Sequence, residues 1–367
     1  MDRRETTVHR LSMSHPGDVA ALGALIERGE VDPRTIVAVI GKTEGNGGSN
    51  DFTRGYFTQS LLNMLAACLD ESPQRLAERI PCVLSGGTEG VLSPHYTVFC
   101  REPGSLRSLA GTKSLAIGTA FTAPTPPEDI GRLAHARAVR AAVLAAMADA
   151  GLDDPADVRF VQIKGPCVTT SRAQTARGNV RTANAGKSMA YTRAAGALGV
   201  ALALGELAEG DVSEDDLLGN FALYSARASV SSGVEVVANE VIVLGNSTHW
   251  SGSLRIASRP MEDALDITSV YAVLDDLGIR AFPQLSVADR KRVHATLVKC
   301  EPDRRGMIHG ARHTMLDDID IDAQRHIRAA VGGMVAGVLG DTRLFVSGGA
   351  EHQGPNGGGL IAVIAAR

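Results

Sequence analysis

Cys82-Val83-Leu84-Ser85-Gly86-Gly87 is a short apolar run that ends in a serine and two glycines, the pattern of a buried strand entering a tight turn. The ending recurs as Ser231-Ser232-Gly233 and as Leu344-Phe345-Val346-Ser347-Gly348-Gly349. Upstream of each stands a lysine, Lys42, Lys164 or Lys299, and between lysine and serine an arginine on a predicted helix, Arg54, Arg193 or Arg325. The order is kept while the loop lengths vary, as insertions into a preserved unit would leave it.

Working outward, the first unit reads as strand Thr7–Met13, helix Pro16–Arg28, strand Ile36–Ile40 running into Gly41-Lys42, helix Arg54–Leu69, the strand at Cys82 and a strand Tyr96–Cys100. The second reads as strand Ser114–Phe121, helix Pro127–Ala150, strand Val158–Ile163 running into Lys164, helix Ser188–Leu207 and strand Val236–Leu244. The third opens with strand Leu254–Ala257, continues with helical segments between Asp263 and Leu297, then a helix Arg325–Leu339, strand Leu344–Val346 and strand Leu360–Ala365. The expected fold is α/β: three similar β-α-β-α-β-β units, at 1–104, 112–249 and 254–367, around a pseudo-threefold axis with a substrate site at its centre.

Of 367 residues 44% are hydrophobic and 21% charged, with a net charge of −4, the composition of a globular chain with ample core. No basic field invites nucleic acid or an anionic membrane surface. Aromatics at 4%, with Trp250 the single tryptophan, leave little material for base stacking. Cys68, Cys82, Cys100, Cys167 and Cys300 are odd in number and form no C-x-x-C pair, which suggests a reducing compartment. The apolar stretch Ala195–Leu204 is too short to cross a bilayer and no signal core follows Met1, so the expected location is the cytoplasm.

Gly41-Lys42-Thr43 resembles the end of a phosphate-binding loop, but Ile36 stands where that loop needs a glycine. The ten histidines include no H-E-x-x-H, and no G-x-S-x-G occurs; His95 and His352 read as structural hydrogen-bonders. What remains is Ser/Lys chemistry, in which a neutral amine takes the proton of a serine that attacks a carbonyl. Burial and a neighbouring arginine would each keep the amine neutral. Three converging units would ring the axis with lysines, arginines and Ser-Gly or Ser-Ser turns, and a ligand filling that site would be small, planar, rich in carbonyls and nearly threefold.

On Gly41-Lys42-Thr43-Glu44-Gly45-Asn46-Gly47, Ser85-Gly86-Gly87-Thr88-Glu89-Gly90-Val91-Leu92-Ser93-Pro94-His95, Arg312-His313-Thr314-Met315-Leu316 and Val346-Ser347-Gly348-Gly349-Ala350-Glu351-His352-Gln353-Gly354-Pro355, the chain resembles the ring-opening amidohydrolases, the family of cyanuric acid hydrolase and barbiturase. The resemblance spans nearly the whole length. It implies Lys164 as base and Ser231 as nucleophile, with Arg54, Arg193, Arg325, Ser85, Gly86, Ser231, Ser232, Ser347 and Gly348 holding the ring and Lys42 and Lys299 as supporting lysines. It implies a structural Mg²⁺ or Ca²⁺ on Glu301 with oxygens of Ala350, Gln353, Gly354, Pro355 and Gly358, no organic cofactor and a homotetramer. The implied activity is ring opening of cyanuric acid to carboxybiuret, then biuret and CO₂. Barbiturase, and a non-catalytic binder of a cyclic imide, stand as alternatives. Gly165-Pro166-Cys167-Val168 and Ser232 depart from the common Cys-Pro-Leu-Leu and Ala of the family; Gly48 is barbiturase-like, while Thr88-Glu89 and the specificity position Ile321 follow the cyanuric acid branch.

Overall fold

The structure, a computed structural model, describes residues 3–104, 111–316 and 322–367. The specificity position Ile321 lies outside the described residues. The first sheet contains β1 (Arg4–Ser12), β2 (Ile36–Thr43), β3 (Cys82–Gly86) and β4 (His95–Pro103) in the order β3-β2-β4-β1. The second, with β5 (Ser114–Phe121), β6 (Val158–Pro166), β7 (Ala228–Gly233) and β8 (Glu240–Ser247), has the order β5-β8-β6-β7. After β9 (Trp250–Ser251) comes β10 (Leu254–Met261), then β11 (Val293–Cys300), a small hairpin of β12 (Met307–Ile308) and β13 (Ala311–Arg312), then β14 (Phe345–Gly348) and β15 (Gly359–Ala366). The third sheet has the order β10-β15-β11-β14. Each sheet therefore runs third strand, second, fourth, first, with the second and third strands parallel and the rest antiparallel.

Several boundaries shift from the sequence reading, as where helix Pro16–Arg28 is Ala20–Glu27 and strand Val236–Leu244 is Glu240–Ser247, and three differences go further. The chain before Lys299 is not helical up to Leu297: Val293–Cys300 is a strand, buried through its length except at His294, and the helices stop at Ile267–Asp275 and Val287–Arg292. The long helix of the second unit starts at Leu133 instead of Pro127. Strand β9, read as part of no element, pairs parallel with β1 and so extends the first sheet with a strand from the end of the second unit.

Strand alternation decides what faces inward. Ala38 and Ile40 of β2, Val83 of β3, Leu297 of β11 and Phe345 of β14 join residues of the second sheet in one shared core. The intervening residues Val39, Leu84, Val298 and Val346 pack outward under helices of their own units, as does Ile36, which a bulge before Ala38 turns to that side. Continuing the inward parity by two residues places Lys42, Ser85, Lys299 and Ser347 on the axis side. The helix Ala185–Ala203 is apolar nearly all round because it packs on β6 and β7 of the second sheet with the helix Leu133–Ala150 alongside it. A Cβ on its Gly199 would stand 2.5 Å from Ala136 O.

Both histidines read as structural are satisfied. His352 Nε2 accepts from Leu218 N at 3.1 Å while Nδ1 donates to Leu223 O at 2.6 Å. His95 Nδ1 lies 2.8 Å from Ser93 O, and burial pulls the imidazole down to about 4. The unfolded chain takes up this proton near 6.5 and the folded one near 4, so stability is complete above pH 6.5 and falls as the pH drops through that window. The expected loss is about 3 kcal/mol, at roughly 1.4 kcal/mol per unit. Denaturant melts of the protein and of His95→Gln across pH 4 to 7 check it; the variant's curve is flatter.

Candidate active site

The three lysine–serine pairs occupy the same register. On the parallel strands Lys42 pairs with Ser85, Lys164 with Ser231 and Lys299 with Ser347. All three lysines are buried, at 0%, 1% and 0% exposure. Their hydrogen bonds differ. Lys42 Nζ donates to Ser85 Oγ (3.2 Å) and Gly86 O (2.9 Å). Lys299 Nζ donates to Ser347 Oγ (3.0 Å), Gly348 O (2.9 Å) and Val230 O (2.7 Å). Lys164 Nζ instead donates to Leu84 O (2.9 Å) and meets the Glu235 carboxylate at 2.7 Å. Ser231 Oγ lies 3.3 Å from Ser347 Oγ. At rest Lys164 Nζ thus contacts the Glu235 carboxylate where Lys42 and Lys299 contact their serines, because Glu235 competes for the same amine.

Burial pushes the amines of Lys42 and Lys299 well below the usual lysine range, helped by Arg328 and Arg193 respectively. Lys164 is lowered by burial, opposed by Glu235 and helped by Arg54. A neutral lysine donates and accepts hydrogen bonds without the cost of a buried charge.

The arginines form a closed ring of contacts between units. Arg54 of the first unit pairs with Glu235 of the second (Nε–Oε1 2.7 Å), and Arg193 of the second pairs with Glu351 of the third (2.7 Å for both bonds). Arg328 of the third pairs with Glu89 of the first (Nε–Oε2 2.9 Å, with a second contact from Nη2). Bidentate pairing fixes the plane of a guanidinium, so each unit aims an arginine of another. The third member is Arg328 and not Arg325. Arg325 lies nearly one turn earlier in the helix Ala323–Leu339 and lines a cavity outside the central one, beside Asn46, Ser49 and Asp322.

The central cavity is lined by Arg54, Arg193 and Arg328, by Ser85, Ser231, Ser232 and Ser347, by Gly86, Gly348 and Lys164, and by Gly47, Leu84 and Met189. The structure thus brings together the residues expected there, with Arg328 in place of Arg325. Lys42 and Lys299 sit beneath it as partners of Ser85 and Ser347. Ser232 Oγ is buried without a hydrogen-bond partner, which leaves it free for a ligand.

Sequence reasoning missed Arg328 and the partner role of the glutamates. Their signal is the spacing Ser-x-Gly-x-Glu at 85–89, 231–235 and 347–351. The third residue is glycine because the ion pairs pack on it: a Cβ would stand 2.3 Å from Glu89 Oε1 at Gly87, 2.1 Å from Glu235 Oε2 at Gly233 and 2.5 Å from Arg193 Nε at Gly349. Gly86 and Gly348 are likewise filled by protein, since a Cβ would lie 1.7 Å from Asp51 Oδ2 and 2.8 Å from Gln324 Oε1.

The residues expected around a metal are engaged with one another and with Arg304: the Glu301 carboxylate takes Arg304 Nη2 at 2.8 Å, and the main-chain oxygens of Ala350 and Pro355 accept from Gln353 N and Gly358 N. Glu301 N donates to Gly358 O at 3.2 Å, and the segment from Ala350 folds back so tightly that a Cβ on Gly354 would stand 2.2 Å from Gly359 O. The Gln353 side chain is already committed, accepting from Val230 N at 2.6 Å, so only its main-chain oxygen is open to an ion.

The fold and the ring of amine, hydroxyl and guanidinium groups define a hydrolase of cyclic amides, and the comparisons agree: residues 7–366 match the family described as "Amidohydrolase ring-opening protein", and the chain belongs to it. Its enzymes cleave cyclic amide C–N bonds. Cyanuric acid amidohydrolase of Bradyrhizobium diazoefficiens is 50% identical over 98% of this chain and 97% of its own, and that of Ectopseudomonas oleovorans is 48% identical over 98% and 99%. The solved cyanuric acid hydrolase of A. caulinodans superposes with a TM-score of 0.91 at 46% identity, covering 99% of both chains. A further solved cyanuric acid hydrolase reaches 0.95 at 42% identity over the whole of both chains. Among the described residues no helix is long and apolar enough to cross a membrane.

The placement of the arginines carries a prediction. Arg328→Met removes a charged hydrogen-bond donor from the central cavity and lowers kcat/KM by roughly 10- to 150-fold, the equivalent of 1.5–3 kcal/mol. Arg325→Met, in the outer cavity, stays within a few fold. Steady-state kinetics of the two variants side by side check it.

Proposed function

We propose that this protein opens the ring of cyanuric acid by hydrolysis, with Ser231 as nucleophile and Lys164 as base. The observation that carries the reading is the closed, threefold set of donors around one cavity: three Arg–Glu pairs and three Lys–Ser pairs, each repeated by a separate unit. A planar ring that alternates three carbonyls with three N–H groups matches that set. The names of the relatives, similar over their whole length, support the same substrate.

The neutral amine of Lys164 accepts the Ser231 hydroxyl proton as Oγ bonds to a ring carbonyl carbon. The ring C–N bond then breaks, and Lys164 returns the proton to the departing nitrogen. Water attacks the resulting ester, passing its proton through Lys164 back to Ser231 Oγ, and releases carboxybiuret, which loses CO₂ to give biuret. Arg54, Arg193 and Arg328 face the carbonyl oxygens and hold the ring in plane, with Ser85, Ser232 and Ser347 as further partners. Glu301 and the main-chain oxygens of Ala350, Gln353, Gly354, Pro355 and Gly358 would hold Mg²⁺ or Ca²⁺, a donor set of one carboxylate and carbonyls suited to a hard cation. Such an ion would share the Glu301 carboxylate with Arg304 and brace the loop after Ser347.

The test is turnover of cyanuric acid and barbituric acid in parallel, following ring absorbance and the appearance of biuret or ureidomalonate. Cyanuric acid is consumed and barbituric acid is not, since barbiturate lacks one ring nitrogen and would leave a buried partner unpaired. Turnover of barbituric acid alone would move the protein to the other substrate.

A further inference from the structure

The three units repeat lysine, serine, arginine and glutamate, yet one contact breaks the repetition. Glu89, Glu235 and Glu351 each receive an arginine, but among the described residues only the Glu235 carboxylate also receives a lysine, Lys164 at 2.7 Å, on the same Oε1 that takes Arg54 Nε at 2.7 Å. Lys42 and Lys299 spend their donors on serine hydroxyls and carbonyls. We propose that Glu235 is a positioning residue for Lys164: its carboxylate is the counterion for the ammonium formed when the lysine takes the Ser231 proton, and this singles out the middle lysine as the one that can accept a proton and give it back. The inference rests on the ring-opening reading with Lys164 as base, and deepens it.

An acid–base catalyst has to pass between both protonation states near the working pH. A buried lysine without a counterion stays neutral, as the strongly depressed amine of Lys42 illustrates. For Lys164 the groups that face it are Glu235 from the loop after β7, Arg54 from the helix Thr53–Leu69 and Glu240 from β8. Glu240 is raised by burial to about 8, so it is largely uncharged at neutral pH and supplies little compensation. Glu235, which burial alone would raise, is held at about 2 by Lys164 and Arg54, and remains a carboxylate throughout. The arrangement is that of a nucleophile, a base and a third group that orients and charge-balances the base. Glu235 lines a separate groove with Glu240 and Cys82 and is not among the residues that line the central cavity, so it reaches Lys164 without touching the ring.

The kcat–pH profile for cyanuric acid, measured on the full chain and on Glu235→Gln, Glu235→Asp and Glu89→Gln, tests this. Removing the carboxylate lowers the lysine's affinity for protons, so Glu235→Gln moves the acid limb to lower pH by one unit or more and drops kcat by about 100-fold or more. Glu235→Asp keeps the limb within half a unit and loses less kcat than Gln. Glu89→Gln, the same position in a unit without the lysine contact, changes KM through Arg328 and leaves the limb where it was. An unmoved limb in Glu235→Gln, or the same shift in Glu89→Gln, overturns the inference while turnover by the unaltered protein upholds the ring-opening reading. Should Glu235→Gln fail to melt cooperatively, Glu235→Asp decides: a wild-type limb with measurable kcat supports the role, and a folded but inactive Asp variant overturns it. No turnover by the unaltered protein overturns the ring-opening reading itself, and the inference with it.

Discussion

Ser231→Ala lowers kcat for cyanuric acid by about ten-thousandfold or more, while the thermal melt stays close to that of the unaltered protein. The first effect follows from removing the atom that forms the bond; what remains comes from positioning by the arginines alone. The second follows from the hydroxyl's weak commitment: its contact is 3.3 Å to Ser347 Oγ, at the long end for two hydroxyls. Binding survives, so excess cyanuric acid still raises the melting temperature of the variant. Ser85→Ala and Ser347→Ala lose less, since those hydroxyls are tied to Lys42 and Lys299 at rest and serve as partners of the ring. Near-normal turnover by Ser231→Ala would end the assignment of the nucleophile.

Lys164→Met is the second large effect, about a thousandfold or more in kcat, because the serine loses its proton acceptor at a step where general base catalysis contributes two to four powers of ten. The variant also leaves Leu84 O without its lysine donor and Glu235 with Arg54 as its remaining partner, so a stability loss of about 1–3 kcal/mol accompanies it. Lys42→Met incurs a comparable stability loss through Ser85 and Gly86 O, but a smaller loss of kcat. Comparing the ratio of kcat loss to melting shift in the two variants separates a base from a structural lysine. Equal kcat losses would contradict the choice of Lys164.

The repeat was legible because it is written in strand alternation. Apolar runs such as Ala38–Ile40 leading to Lys42, and Leu344–Val346 leading to Ser347, keep the parity that turns Lys and Ser toward the axis, and the register pairs in all three sheets follow. The strand at Val293–Cys300 was less so: Arg290, Lys291 and Arg292 close a short helix immediately before it, and the boundary between the two periods falls inside one run. Arg328 was missed because a helix offers several arginines and only packing picks one. It is buried in line with Gly332 and Ala336, where Arg325 is only partly covered. The glutamates lie four residues beyond each serine, in turns whose shape only the folded chain shows, and each meets an arginine from another unit, between 158 and 239 positions away. Nor could the sequence show that the middle lysine is held differently, since Lys42, Lys164 and Lys299 occupy equivalent register positions and differ in the partners that only the folded chain brings to each.

The most direct measurement is to stop the enzyme with acid during turnover of cyanuric acid, digest it and map the mass of every serine-containing peptide. The account predicts a ring-derived acyl group on the peptide that contains Ser231. The same mass on the peptide of Ser85 or of Ser347 would contradict it.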